Sequence, residues 1–263
     1  MQREIPLWEG ETPLFDPAIG QPRPGLKPFF SGEKGHGALI VCPGGAYAIH
    51  AEREGDPAAV SVNRCGVNAF VLRYRLLPYR HPAMLFDVRR AVRLVRCRAA
   101  EWDIDPEHIG VLGFSAGGHL AALAATRFDT GDPLAVDAAE RESSRPDIFA
   151  SCYGVNSLSH ISESFAKKLL GKDDASPAEL RELDPAANVN AKTPPAFLWH
   201  TSEDDLVSVR GSLDMAAALT GYNVPYSLHV FPHGGHALGL AAGVPLTEDW
   251  PELFNRFLLD FGF

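Results

Sequence analysis

From residue 38 onward the chain alternates short apolar runs with longer stretches in which apolar positions recur every three or four residues. The short runs are Ala38–Cys42, Ala69–Tyr74, Ile109–Phe114, Ile148–Tyr153, Ala196–His200 and Tyr226–Phe231. Their near-continuous hydrophobicity predicts strands buried on both faces. Between them lie predicted helices. Asp56–Cys65 opens with an acidic residue as its cap and Pro57 at the first helical position, and Gly66 stops it. Ala83–Trp102 places Leu85, Val88, Ala91, Val92 and Val95 on one stripe, with Arg89, Arg90, Arg93 and Arg96 around it as a solvated face. Ala116–Thr126 is small and almost wholly apolar, as a helix pressed against a sheet must be, and Ser212–Leu219 and Glu248–Leu259 complete the set. Strand and helix in alternation predict an α/β fold, a mostly parallel central sheet covered by helices on both faces. In such sheets the chemistry gathers where loops leave the carboxyl ends of the strands.

Two stretches break the alternation. Residues 1–35 carry Pro6, Pro13, Pro17, Pro22, Pro24 and Pro28, a density that forbids a continuous helix or a central strand, so the segment is expected to wrap the surface in extended form. Residues 157–190, rich in Ser, Lys, Asp and Pro, predict short helices forming a small cap over the strand ends. With no linker in evidence, residues 1–263 are expected to form a single domain.

Charge and composition narrow the partners. The 24 Lys and Arg against 33 Asp and Glu give a net charge of −9 with no basic cluster, which argues against nucleic acid and anionic membranes. No apolar run is long enough to span a bilayer, and Met1–Gly10 lacks the layout of a signal peptide, so the chain reads as cytoplasmic. Cys42, Cys65, Cys97 and Cys152 are far apart without CxxC spacing, and are expected as reduced, mostly buried thiols.

The sharpest chemical signal is Gly113-Phe114-Ser115-Ala116-Gly117, directly between a predicted strand and an apolar helix. The turn it implies is so tight that side chains two residues either side of the serine would clash. It would expose Ser115 at a helix N-terminus, with the Ala116 amide aimed at any oxyanion formed there. A serine hydroxyl needs a base. His236, in Pro232-His233-Gly234-Gly235-His236 after the last strand, is favoured over His233, because two glycines let the loop swing it inward. His119, one turn beyond Ser115, is expected to pack against the sheet. The histidine in turn needs an acid, and the strand ending at His200 runs into Glu203, Asp204 and Asp205, among which spacing alone does not choose. Cys42-Pro43-Gly44-Gly45-Ala46-Tyr47 supplies a loop whose Gly45 and Ala46 amides are candidates for the second oxyanion donor. Tyr47 beside it is a candidate substrate contact, with packing as the alternative reading. No metal or cofactor is expected; His229, His233 and His236 lack a neighbouring carboxylate or Cys in their segment.

With these residues in view the chain resembles the esterase/lipase branch of the α/β hydrolases, close to the BD-FAE type family of feruloyl, acetylxylan and other carbohydrate esterases. The resemblance rests on Cys-Pro-Gly-Gly-Ala-Tyr at 42–47, Glu54-Gly55, Ala-Phe-Val-Leu-Arg-Tyr-Arg-Leu at 69–76, the run from Ile104 to Ala122 around Ser115, and His-Gly-Gly-His at 233–236. It implies Asp204 as the acid, three residues before Val207, with Asp205 as runner-up. It also implies a serine esterase with an acyl-enzyme, acting on short-chain acyl esters such as acetylated sugars, and it allows a homodimer. Ala46 in place of the usual third glycine and Ser208 in place of the usual proline depart from the family pattern, and the opening strand pair is expected to be curtailed. A peptidase of prolyl-oligopeptidase type shares fold and triad but normally carries a large additional domain, for which these 263 residues have no room. A haloalkane dehalogenase would carry Asp at the position of Ser115. A non-catalytic binding module would have lost at least one of the three residues.

Overall fold

The computed structural model describes residues 4–33 and 36–263. Residues 1–3 and 34–35, part of the segment expected to wrap the surface, lie outside the described residues. The strands are β1 (Ile5–Pro6), β2 (Gly25–Phe29), β3 (His36–Cys42), β4 (Asn68–Arg73), β5 (Ile104–Phe114), β6 (Phe149–Cys152), β7 (Ala196–Thr201) and β8 (Tyr226–Phe231). The helices are α1 (Asp56–Asn63), α2 (Ala83–Cys97), α3 (Ala116–Thr126), α4 (Glu163–Leu170), α5 (Pro177–Glu182), α6 (Arg210–Gly221) and α7 (Trp250–Asp260). One sheet holds the strands in the order β1-β2-β4-β3-β5-β6-β7-β8. From β4 to β8 all pairings are parallel, while β2 joins β4, and β1 joins β2, antiparallel.

Successive residues of a strand point to opposite faces, and the two cores follow that period. Ala38, Ile40 and Cys42 of β3 pack with α2 and α3, whereas Leu39 and Val41 pack with α1 and α7. On the far half of the first face, Met215, Ala216 and Leu219 of α6 close over Phe149, Ala196 and Leu198. Every residue of α3 is buried, which is why it is built from Ala, Gly and Leu.

Several expectations are corrected. The proline-rich opening does more than wrap the surface: it supplies β1 and β2 and buries Leu7 and Leu26 completely. Pro28 is tolerated because β1 covers only Gly25 and Leu26, so the rest of β2 has a free edge where a missing N–H breaks no ladder. Gly55, not Asp56, caps α1, and the Asp56 carboxylate instead pairs with Lys27 on β2. The long helix from Ala83 ends at Cys97, with a separate 3-10 turn at Ala99–Trp102. Its arginines are not a solvated face. Arg90, Arg93 and Arg96 are largely buried against Asp129, Asp137, Glu140 and Asp147 of the 129–147 segment, an ion-pair seam that sequence spacing could not reveal. Cys42 and Cys152 are buried, but Cys65 and Cys97 are only half-buried; all four are free.

Arg75 and Asp87 form a fully buried pair that ties the opening segment to α2. The carboxylate takes the Arg75 backbone amide at 2.8 Å and its Nε and Nη2 at 2.7–3.1 Å, while Nη1 reaches the Pro13 carbonyl at 2.6 Å. Replacing Asp87 with Ala strands a buried guanidinium. We expect a loss of about 3–5 kcal/mol in urea unfolding; a loss below about 1 kcal/mol would mean that water or another carboxylate takes Asp87's place.

Candidate active site

Ser115 sits at the turn from β5 into α3 with φ 53° and ψ −119°, a conformation an L residue adopts only under strain. The flanking glycines make it feasible. A Cβ at Gly113 would lie 2.0 Å from the Gly117 carbonyl oxygen, and one at Gly117 would lie 2.0 Å from that of Cys42. The hydroxyl is therefore held at the sheet edge, half-buried, with the first amide of α3 beside it. That amide, on Ala116, has no acceptor within its own helix.

The loop after β8 brings His236 to it. His236 Nε2 lies 2.7 Å from Ser115 Oγ, and Nδ1 lies 2.7 Å from Asp204 Oδ2. Gly234 adopts φ +112°, which only glycine supports comfortably, and the loop is tethered from four sides. Glu203 accepts the Gly234 amide at 2.8 Å, Thr201 donates to its carbonyl at 2.6 Å, Thr247 donates to the His233 carbonyl at 2.7 Å, and Arg53 to that of Ala237 at 3.1 Å. His233 points outward, more than half exposed and paired with Glu203. His229, on β8, packs against Phe197. Among the described residues no group of three or more His, Cys, Asp or Glu is arranged to hold a metal ion.

Of the three carboxylates after β7, only Asp204 reaches the imidazole; Asp205 is exposed. Asp204 Oδ1 accepts the amides of Leu206 and Val207 at 3.0 and 2.9 Å. Burial pushes the carboxyl up, yet hydrogen bonds from His200, His236 and the Val207 amide outweigh it and hold the group well below the usual carboxylate range. His200 is a partner the sequence did not flag. Fully buried at the end of β7, its Nε2 faces both Asp204 Oδ2 at 3.2 Å and the Val207 carbonyl at 2.8 Å. Two acceptors require the proton on Nε2, so Nδ1 accepts from Ser212 Oγ at 2.9 Å. Ser212 Oγ in turn accepts from Asn156 Nδ2 at 3.2 Å, and Asn156 Oδ1 accepts from Ser151 Oγ at 2.8 Å. Each donor in this buried series meets an acceptor when His200 is neutral.

A cavity of about 300 Å³ opens on Ser115, with Ala46, Tyr47, Ala116, Leu206 and Val207 on the sheet side. The opposite wall comes from residues 160–169, including Ile161, Phe165 and Leu169 below and Ser162, Ser164 and Lys168 at the rim. Helix α4 thus supplies part of this wall. Ala46 shares this cavity with Ala116, whereas Gly45, at φ +117°, is not among its lining residues but shapes the turn that delivers Ala46. Tyr47 also lines it, but its hydroxyl is turned away to His119 Nδ1 at 2.7 Å. His119 does not pack on the sheet as expected. Its Nε2 donates to the Leu183 carbonyl at 2.8 Å, so it fastens the Tyr47 loop to the residue that follows α5, and burial pushes its pKa down to about 4, leaving a neutral ring.

A family model described as BD-FAE matches residues 31–219. Endo-1,4-beta-xylanase B of Butyrivibrio fibrisolvens is 34% identical over 211 residues, covering 77% of this chain and 32% of that protein. Acetylxylan esterase of Xylanibacter ruminicola is 29% identical over 231 residues, covering 86% of this chain and 44% of that protein. The chain spans less than half the length of either relative. Among solved structures, an acetyl ester-xyloside bifunctional hydrolase from Caldicellulosiruptor lactoaceticus superposes with a TM-score of 0.95 at 46% identity, covering 99% of this chain and 97% of that one.

Proposed function

Because the chain belongs to the BD-FAE family, we propose that it is a carboxylic ester hydrolase using Ser115 as nucleophile, His236 as base and Asp204 as the acid that orients it. Its fold is that of the α/β hydrolases; in this reading the chain is one domain and residues 157–190 are its cap. One observation carries the proposal: Ser115, His236 and Asp204 stand in an unbroken hydrogen-bonded series that ends on an apolar cavity.

In the proposed reaction His236 Nε2 takes the Ser115 proton as Oγ adds to the ester carbonyl. Asp204, ionised, accepts from Nδ1 and so keeps Nε2 free to receive that proton. The oxyanion is held by the Ala116 amide and by the Gly45–Ala46 backbone, with Ala46 favoured because it shares the cavity with Ser115. His236 then passes the proton to the departing alcohol, leaving an acyl-enzyme. Water, deprotonated by the same imidazole, releases the acid and restores Ser115.

The cavity's size and its Ala46 methyl support a short acyl group, and the hydroxyl-bearing rim suits a polar alcohol such as a sugar. The acetylxylan esterase and acetyl ester hydrolase among the similar proteins support the same substrate class. The Caldicellulosiruptor enzyme is also described as a xyloside hydrolase. Glycoside cleavage ordinarily uses two carboxylates flanking the bond, and the residues lining this cavity include neither Asp nor Glu, which favours ester cleavage here. Hydrolysis of p-nitrophenyl esters from acetyl to dodecanoyl tests the reading. We expect a maximum at acetyl or butanoyl and a fall of roughly tenfold or more by octanoyl; a maximum at dodecanoyl would overturn the short-acyl assignment.

A further inference from the structure

We propose that Glu54 is a positioning residue for this reaction, locking the oxyanion loop to the His236 loop through Tyr153. The inference rests on the esterase reading above. Glu54 ends the 3-10 turn Glu52–Glu54 and is 1% exposed, a position where a carboxylate carries a large desolvation penalty. Among the described residues no Lys or Arg forms a salt bridge with it. Instead both oxygens accept from neutral donors, the Gly44 amide on Oε2 at 2.8 Å and the Tyr153 hydroxyl on Oε1 at 2.8 Å. Two donors and no acceptor fit an ionised group.

The contacts form a bridge. Gly44 opens the oxyanion loop, and a Cβ there would come within 2.5 Å of Glu54 Oε2 and 2.9 Å of Ser115 Cβ, so the carboxylate and the nucleophile press on one short backbone segment. On the other side, the Tyr153 hydroxyl oxygen accepts the Gly239 amide at 2.8 Å, three residues beyond His236. The Tyr153 ring meets the His236 ring edge-on, with centroids 5.2 Å apart. The neighbouring Arg53 holds the Ala237 carbonyl. Two adjacent side chains of one turn therefore fasten both loops that carry the chemistry.

An apolar side chain in this space would leave the Gly44 amide and the Tyr153 hydroxyl without their acceptor. Burial raises the Glu54 carboxyl above the usual range, against the Tyr153 and Gly44 hydrogen bonds, and a positive charge on His236 favours its ionised form. The other groups facing His236 are Asp204 and Ser115 on its two nitrogens and the Tyr153 ring; His200 shares Asp204, while Arg53 holds the loop's Ala237 carbonyl and Glu203 its Gly234 amide. Around Glu54 itself stand Tyr153, Tyr74, Cys152 and Arg53.

The test compares Glu54→Gln and Glu54→Asp with the wild type by two readouts. One is hydrolysis of p-nitrophenyl acetate. The other is labelling of Ser115 by a fluorophosphonate, in which Oγ bonds to phosphorus, fluoride leaves and His236 takes the proton, followed by intact mass. We expect Glu54→Gln, whose amide nitrogen cannot accept one of the two donors, to lower kcat and the labelling rate about tenfold with KM changed less than about twofold. Glu54→Asp keeps the charge but is too short to span the Gly44 and Tyr153 donors, so its rate falls as well. An unchanged kcat in both variants, or a rise in KM with kcat kept, would overturn the bridge. A wild type that neither cleaves the ester nor takes the label would instead overturn the esterase reading, a result distinct from either.

Discussion

Ser115→Ala is expected to lower kcat by about 10⁴- to 10⁶-fold, with KM and folding little changed. The hydroxyl makes a hydrogen bond to His236 and does not cap α3, so its removal leaves the elbow standing. The strained φ of 53° persists with Ala, which adopts it no more and no less readily than Ser, and the unfolding midpoint should move by less than about 0.5 kcal/mol equivalent. What disappears is the group proposed to form the acyl-enzyme. The residual rate belongs to an oxyanion site that still binds the ester, as removal of one member of such a constellation generally leaves. Steady-state kinetics with the preferred ester, together with urea unfolding of the same preparation, separates this outcome from collapse. Gly117→Ala provides the contrast, since its Cβ would meet the Cys42 carbonyl at 2.0 Å and activity would be lost together with folding. Full activity in Ser115→Ala would remove the nucleophile from the mechanism.

The second large effect is expected at Asp204. Asp204→Asn should reduce kcat by about 10³- to 10⁴-fold, whereas Asp205→Asn should change it by less than about threefold. An Asn amide facing His236 Nδ1 turns that nitrogen into an acceptor, forces the proton onto Nε2, and leaves no lone pair to receive the Ser115 proton. Asp205 is exposed and makes no side-chain hydrogen bond or ion pair among the described residues. Because Asp204 is held below the usual carboxylate range, it stays ionised across any practical assay pH, and the acid limb of the wild-type profile is not its own. The sign for stability is the same. Its depressed folded-state value adds stability that is fully present above the ordinary carboxylate range and is lost progressively as pH falls from there to the folded-state value. Equal losses in the two variants would shift the acid's role away from Asp204.

Much of the architecture is written locally. The apolar runs from Ala38 to His200 become strands because a continuous hydrophobic stretch bounded by turn residues can bury both faces only inside a covered sheet; Tyr226–Phe231 is also a strand, but as the last of the sheet it leaves Tyr226 and Val230 exposed, against the expectation of burial on both faces. Gly113, Ser115 and Gly117 mark the elbow by their close spacing, and the clash that a Cβ at Gly113 would make with the Gly117 carbonyl is local, whereas Gly117 is needed because the Cys42 carbonyl of β3 packs against it. That His236 rather than His233 turns inward was legible from the glycines before it. Family pattern rather than spacing pointed to Asp204 over Asp205.

What only the tertiary structure decided is the pairing of groups far apart in sequence. Ser115 and His236 are 121 residues apart, and Tyr153 reaches Glu54 across 99. His200 and His119 each looked like an ordinary residue at a strand end or on a helix, and Glu54 stood out only as part of the Glu54-Gly55 family match, with no role attached. Their partners lie on other elements, and no periodicity encodes a partner. The arginines of α2 misled for the same reason: charge at helical spacing reads as a solvated face, and only folding brings the acidic 129–147 segment over it. The proline-rich opening misled because a strand needs its N–H groups only on the side that is paired, and which side of β2 is free depends on where β1 ends. Local sterics and hydrophobic period fix elements and turns from the chain alone; buried polar groups are satisfied by whichever distant donors the packed sheet delivers.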